Sequence, residues 1–397
     1  MPANADALLA RAIRVTLALL TGALVIALAI GGRSQRHPLG DVPGRLIARH
    51  IHPGALPYVG WKTEYPVVVG LVQWVASWVG ATRLGFFLAT SAVSTVLALL
   101  LVRLLVDAVG ARVWCAIFAP AFVLYAFHNW DLLAVVPAVA GVLAFDARRD
   151  GRAGALIAIG ACAKVFPAVF LPPLVARRVH DEGWRAAMPL VAGAGVTTLA
   201  LNLPFVVASA SGWWFPFRFQ GRRSITWGTL WSVPGRFPVV GRHLGVHSGA
   251  LANAMSSSAL VAATVALCVI AVRRRMSGVA IGAAATGMFL IVNKVYSPNY
   301  DLWLVPWVAL VPLARRWRLT LGVFTSAVFV VVFGYFHGVV GRSVLRATLP
   351  FLVVGRAVAI VALIATAIAA AGAARTAAST TTATTTPSVR RTRPAEP

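Results

Sequence analysis

Acidic residues are scarce, with eleven Asp and Glu against 36 Lys and Arg in 397 residues. Lysine is nearly absent too, occurring at Lys62, Lys164 and Lys294, so arginine carries most of the formal charge of +25. Cysteine is limited to Cys115, Cys162 and Cys268, all inside apolar stretches and never in CxxC spacing. That pattern argues against a disulfide framework or a thiolate metal set and leaves them as small packing residues. Long polar segments are also missing, and no soluble stretch between apolar runs exceeds a few dozen residues.

What fills the chain is hydrophobic: 59% of residues are apolar and the mean hydropathy is +0.80. Runs of membrane-spanning length recur from residue 15 to residue 372, which predicts one polytopic membrane domain, residues 1–374, of all-α class. In a soluble protein so basic a balance points to nucleic acid. Here the loop arginines orient spans and meet anionic headgroups, so membrane lipids and not nucleic acid are the expected partners.

The basic start at Arg11 and Arg14 before the apolar run Val15–Ile30 has the look of a signal peptide, but the many later spans make it a retained first helix. The N-terminus is then cytoplasmic, and residues 32–64 lie outside. Residues 65–80, short and carrying Gln73, Trp74 and Trp78, read as an interfacial or re-entrant helix. Basic turns at Arg112, at 147–152, at 273–275 and at 315–318 then alternate with outer loops, giving roughly ten crossings with an interior C-terminus. Residues 153–176 contain Lys164 and Pro167 at their middle, which predicts two half-helices that rise and return as a hairpin. The Thr- and Arg-rich tail 375–397 has too few apolar residues to pack and is expected to be disordered.

This threading gathers polar residues at the outer side. Asp41, Glu64, Asp131 and Asp301 fall there, as do the lysines, the histidine-containing stretch at 128 and the loop arginines Arg218, Arg222, Arg223, Arg236 and Arg242. Arginines outside run against the positive-inside tendency, and an anionic ligand accounts for them.

The order of Asp41, PYVGWKTEYPV at 57–67, GACAKVFPAVFLPPLVARR at 160–178, WWFPFRFQGRRSITWGTLW at 213–231 and NKVYSPNYDLWLVP at 293–306 resembles actinobacterial members of glycosyltransferase family 87. The resemblance runs from about residue 15 to 340. It implies a C-type membrane glycosyltransferase, a multi-helix bundle whose active site lies at the extracytoplasmic surface of the cell membrane. It also implies a polyprenyl-phosphate mannose donor that enters sideways from the bilayer, and an envelope glycolipid or glycan acceptor. One departure touches acceptor recognition: such members tend to carry a tyrosine-containing stretch after the first-loop acid, and this chain has DVPGRL at 41–46.

The residue chemistry is compatible with that function on its own terms. Sugar transfer from a lipid phosphate needs a carboxylate to take the acceptor's proton and cations to stabilise the phosphate charge that develops. Inversion needs one such base and no covalent intermediate. Asp41 is the candidate base; Lys164, Arg222, Arg223 and Lys294 are candidates for the phosphate; Glu64, Tyr65, Asp131, Asn293, Tyr296, Asn299, Tyr300 and Asp301 are candidates for substrate binding. No cofactor and no metal set is assigned, since His50 and His52 lack a third ligand in the sequence. The absence of a Gly-rich phosphate loop argues against a nucleotide-sugar donor.

Other readings stay open from sequence alone. Asp41 can be a solvated loop acid, Glu64 can favour the start of a helix, and Asp131 can cap the helix after it. Lys164 can snorkel to an interface, and NKVYSPNYD can be a polar turn. A lipid-linked-sugar flippase or transporter would use the same cations without needing the Asp41 carboxylate for turnover.

Overall fold

The computed structural model describes residues 2–31, 50–80, 82–234 and 249–383. Among these the regular elements are helical, with one isolated bridge between Pro57 and Trp61. The candidate base Asp41 and the loop arginines Arg236 and Arg242 lie outside the described residues.

Helix α1 (Pro2–Gly31) is followed by α2 (Val67–Val79) and α3 (Arg83–Val109). Two short helices, α4 (Trp114–Ile117) and α5 (Pro120–Tyr125), precede α6 (Leu132–Asp146) and α7 (Asp150–Ala161). Then come α8 (Leu171–Glu182), α9 (Trp184–Trp213), α10 (Phe215–Arg222), α11 (Gly249–Arg274) and α12 (Gly278–Val292). The last are α13 (Val305–Leu310), α14 (Arg315–Phe336) and α15 (Arg342–Ala383).

Six of these stretches are long and apolar enough to cross a membrane, beginning at Ala5, Arg83, Trp184, Ala250, Arg315 and Arg342. The chain is therefore an all-α integral membrane protein. The other expected crossings are shorter. Pro120 separates α4 from α5, α6 and α12 have 15 residues each, and 302–314 is divided between a 3₁₀ turn and the six-residue α13. At about 1.5 Å per residue a 15-residue helix spans roughly 22 Å, less than the ~30 Å hydrocarbon core. These shorter segments adjoin Asp131, Lys294 and the 3₁₀ turn Pro298–Leu304.

Helix α15 continues past residue 374 to Ala383, into the tail expected to be without structure. Of that tail only residues 375–383 are described.

Residues 150–182 form a hairpin. The chain reverses at 162–165, and its two ends meet again where Arg178 Nη2 donates to Asp150 Oδ1 at 2.7 Å and Arg148 pairs with Glu182. Gly183, at φ +83, makes the next reversal in a conformation that a side chain disfavours. Helices α7 and α9 then pack backbone to backbone, since a Cβ on Gly154 would collide with the Leu190 carbonyl.

These contacts define two ends. At the basic end, Asp146 accepts from the backbone N–H groups of Gly278 at 2.6 Å and Val279 at 3.1 Å, which ties α6 to the start of α12. At the opposite end the chain segments around residues 65, 130, 164, 226 and 296 converge.

Candidate active site

The converging end is built on Asp131, which is fully buried. Its Oδ1 accepts from Lys164 Nζ at 2.6 Å and Trp303 Nε1 at 2.5 Å, and its Oδ2 accepts from Asn299 Nδ2 at 2.7 Å. Three donors from two distant segments thus compensate one carboxylate, as a buried charge requires. Lys164 lies at the hairpin apex, 7% exposed, with its ammonium 5.2 to 5.7 Å from the ring centroids of Tyr65, Tyr300 and Trp303. The faces of these rings add to the stabilisation of the positive charge.

Tyr65 is placed by two contacts. Tyr58 Oη donates to its carbonyl at 2.7 Å, and Asn129 Nδ2 donates to its Oη at 2.9 Å. The neighbouring Glu64 is buried at 4% exposure. Helix α2 docks on the hairpin apex by a bond from Val68 N–H to the Cys162 carbonyl at 2.9 Å.

A stack of rings leads away from this node: Phe166 on Trp303 at 4.0 Å, Trp303 on Tyr300 at 4.1 Å, Tyr300 on Tyr296 at 6.1 Å. Tyr296 Oη donates to Asp301 Oδ1 at 2.5 Å. Arg356, 1% exposed on α15, donates to both Asp301 oxygens at 3.3 Å and to the Gly228 carbonyl at 2.7 Å, with its guanidinium 3.8 Å from the Tyr296 ring centroid. The backbone of 226–228 is pinned to the same turn, with Thr226 Oγ1 accepting from Tyr296 N–H at 2.7 Å and the Lys294 carbonyl accepting from Thr226 N–H at 3.1 Å. A Cβ on Gly228 would strike the Tyr296 carbonyl, so only glycine lets these two loops approach.

A third group of cations borders these two. Lys294 Nζ donates to the carbonyls of Gly221, at 3.3 Å, and Arg223. Burial first, and then the charge of Arg223, lowers the Lys294 pKa from its ordinary value. Arg222 is exposed and Arg223 half-buried on the adjoining turn. Asn293 is half-buried and accepts from Val295 N–H at 3.3 Å. Among the described residues, no three of His, Cys, Asp and Glu converge as a metal set.

The structure thus brings Asp131, Lys164, Asn299, Tyr300 and Tyr65 into one node, and Asp301 and Tyr296 into a second beside it. Lys294, Arg222 and Arg223 form the border. Lys164 and Asp131, assigned separate roles from sequence, are partners. Arg356 and Trp303 were not singled out, although a lone arginine in the apolar run FLVVGRAVAIVALIATAI is the same costly signal that marked Lys164.

Residues 63–298 match the profile of glycosyltransferase family 87. The chain belongs to that family. The match covers more than half of the protein and includes every node residue up to Tyr296, while Asn299, Tyr300, Asp301, Trp303 and Arg356 follow it. Among solved structures, the apo crystal structure of ArnT from Cupriavidus metallidurans is similar with a TM-score of 0.45 and 17% identity, over 93% of this chain and 79% of that one. A comparison with curated protein sequences finds no match. The protein is thus a membrane glycosyltransferase.

Proposed function

We propose that this family 87 glycosyltransferase moves a hexose, mannose in the reading developed from its sequence, from a polyprenyl-phosphate donor to an envelope glycolipid or glycan by inverting displacement at the extracytoplasmic face. The observation that carries the reading is the convergence of Lys294, Arg222 and Arg223 beside two buried polar nodes at the end of the bundle opposite the Arg148 and Arg178 network. A cationic border over aromatic and carboxylate groups suits a sugar phosphate: cations take the phosphate, rings and carboxylates take the sugar. The dense arginines of the opposite end support its cytoplasmic orientation.

In the proposed step the acceptor hydroxyl attacks the anomeric carbon while its proton passes to a carboxylate. The bond from that carbon to the phosphate oxygen breaks, and polyprenyl phosphate leaves with the electron pair. The carboxylates of Asp131 and Asp301 already accept two or three bonds each, which suits them to holding the site rather than taking the proton. Asp41 is the base we propose. The experiment is transfer of radiolabelled mannose from polyprenyl-phosphate mannose by the purified protein in lipid, against a panel of acceptors, for wild type and Asp41→Asn. Loss of a general base lowers the rate by about 10²- to 10⁴-fold with donor binding preserved; near-normal transfer by Asp41→Asn removes it from the mechanism. Donor movement across vesicles with no transfer to any acceptor would replace the enzyme reading by a flippase.

A further inference from the structure

A cavity of about 590 Å³ between α4, α5, α13 and α14 reaches from the basic end of the bundle to Asp301. Its lining is uneven. Arg315 and Arg318 stand at one limit, and Asp301, Thr325 and Ser326 at the other. Along α14 these limits are seven to eleven residues apart, roughly 10–16 Å at 1.5 Å per residue. Between them the walls are apolar, and Phe118, Leu319 and Val323 are 57% to 64% exposed along the opening. The opening is therefore lateral, toward the hydrocarbon of a bilayer, and not toward water.

The charge at the two limits decides the occupant. Arg315 lies at the basic end of α14, whereas Phe333 and Phe336 at its other end pack on His128 and Trp227, close in sequence to Asp131 and Gly228. Arg318 Nη1 donates to the Leu313 carbonyl at 2.8 Å, and its side chain lines the cavity. Among the described residues, neither arginine has a carboxylate partner. Arg11 adds a third cation, 5.7 Å from the ring centroid of Trp114, which is itself part of the wall. Two guanidinium groups at the membrane border above an apolar slot match a phosphate diester with an acyl chain attached.

We infer that this groove binds an anionic glycerophospholipid from the leaflet at the basic end, with its phosphate on Arg315 and Arg318 and one acyl chain running along α14 toward Asp301. The site is distinct from the glycosyl-transfer site in headgroup position and leaflet. Its inner limit underlies the 3₁₀ turn Pro298–Leu304, which carries Asn299, Asp301 and Trp303, so occupancy supports the floor of both nodes.

The test is equilibrium binding of phosphatidylglycerol and of phosphatidylcholine to the delipidated full-length protein, counted by native mass spectrometry. Wild type is expected to retain phosphatidylglycerol preferentially. Arg315→Gln with Arg318→Gln removes the preference, at about tenfold for each charge-assisted bond removed, while Arg315→Lys with Arg318→Lys keeps most of it. Gly322→Leu tests the chain. A Cβ at Gly322 makes ordinary contact with Pro120, and the rest of the new side chain would fill the slot. It should weaken retention of both lipids with the arginines intact. A wild-type protein with no preference, a preference unchanged in the glutamine pair, or retention of both lipids unchanged in Gly322→Leu, overturns the site. Displacement of phosphatidylglycerol by polyprenyl phosphate, with Gly322→Leu blocking that displacement, would assign the groove to the donor and equally overturn it.

Discussion

The two carboxylate-centred nodes differ in how their charge is held. Asp131 meets Lys164, a compact ammonium, at 2.6 Å, and accepts two further bonds from Asn299 and Trp303. Asp301 meets Arg356, a planar fork, at 3.3 Å, and the same fork reaches the Gly228 carbonyl. The first pair compensates a charge locally inside a cage of rings. The second spans three segments, fastening α15 to the 226–228 loop and to the 3₁₀ turn. Lysine suits the first job because its charge is nearly a point, and arginine suits the second because its donors are fixed in a plane. The contrast separates a node that needs charge balance from one that needs geometry.

The largest effect should come from Asp131→Ala. It leaves the Lys164 ammonium buried without its anion, a change that costs about 3–5 kcal/mol for a buried pair. A large fall in the thermal midpoint of the protein in detergent, with loss of transfer, is the expected result. Asp131→Leu combined with Lys164→Met removes both charges and should recover much of the stability. Recovery of transfer as well would reduce this node to packing, whereas stability without transfer would give the pair a part in binding sugar.

Arg356 tests the second node. Arg356→Lys keeps the charge and loses the fork, so it cannot hold Asp301 and Gly228 together, and the loss of one charge-assisted bond costs about 1.5–3 kcal/mol. Lys164→Arg is the converse swap, and in the aromatic cage it should fail by crowding rather than by charge. If Arg356→Lys matches wild type in thermal midpoint and in transfer, the geometric distinction between the nodes is lost.

How much of this is legible in the sequence follows from the same residues. The all-helical membrane class, the family and the hairpin with Lys164 at its apex are readable, because apolar run length, motif order and a lone lysine beside proline are local signals. Asp131, Asn299, Tyr300 and Tyr65 each stand out, but their pairing does not. Asp131 and Lys164 are 33 positions apart, and nothing local records which charges meet. Arg356 escapes notice because it lies in a long final span that reads as an anchor, although an arginine in hydrocarbon demands a partner as a lysine does. The span count is also less legible, since α6, α12 and α13 are apolar yet shorter than a bilayer, and only packing reveals that they surround the site.

The border cations offer a smaller effect of a different kind. Arg222 and Arg223 are exposed and half-buried, so replacing either by Ala should change stability by no more than about 0.5 kcal/mol. Donor binding should nevertheless weaken by about tenfold, the lower end for a charge-assisted bond. Lys164→Ala should weaken donor capture only together with a loss of stability, because it strands Asp131. Titration of each variant with polyprenyl-phosphate mannose, alongside its thermal midpoint, separates the two behaviours. Equal donor affinity in all three variants would move the phosphate site away from both the border and the first node.

The smallest effect is a pH dependence, and it falls on Lys294. Burial and then Arg223 lower its pKa, so the folded protein gives up this proton at a lower pH than the unfolded chain does. At pH values below the folded pKa both states are charged, and the full cost of the buried ammonium is present. Between the folded and unfolded values the unfolded chain holds more protons, and stability rises with pH. The midpoint of thermal unfolding should therefore climb slightly as pH is raised toward about 10, the range in which a free lysine titrates. Lys294→Met has no such proton and should lack this component. Subtracting its profile from that of wild type isolates the Lys294 component. A difference that falls with rising pH would mean the ammonium is held more by the Gly221 and Arg223 carbonyls than it is penalised by burial, and Lys294 would then belong with Lys164 as a compensated cation.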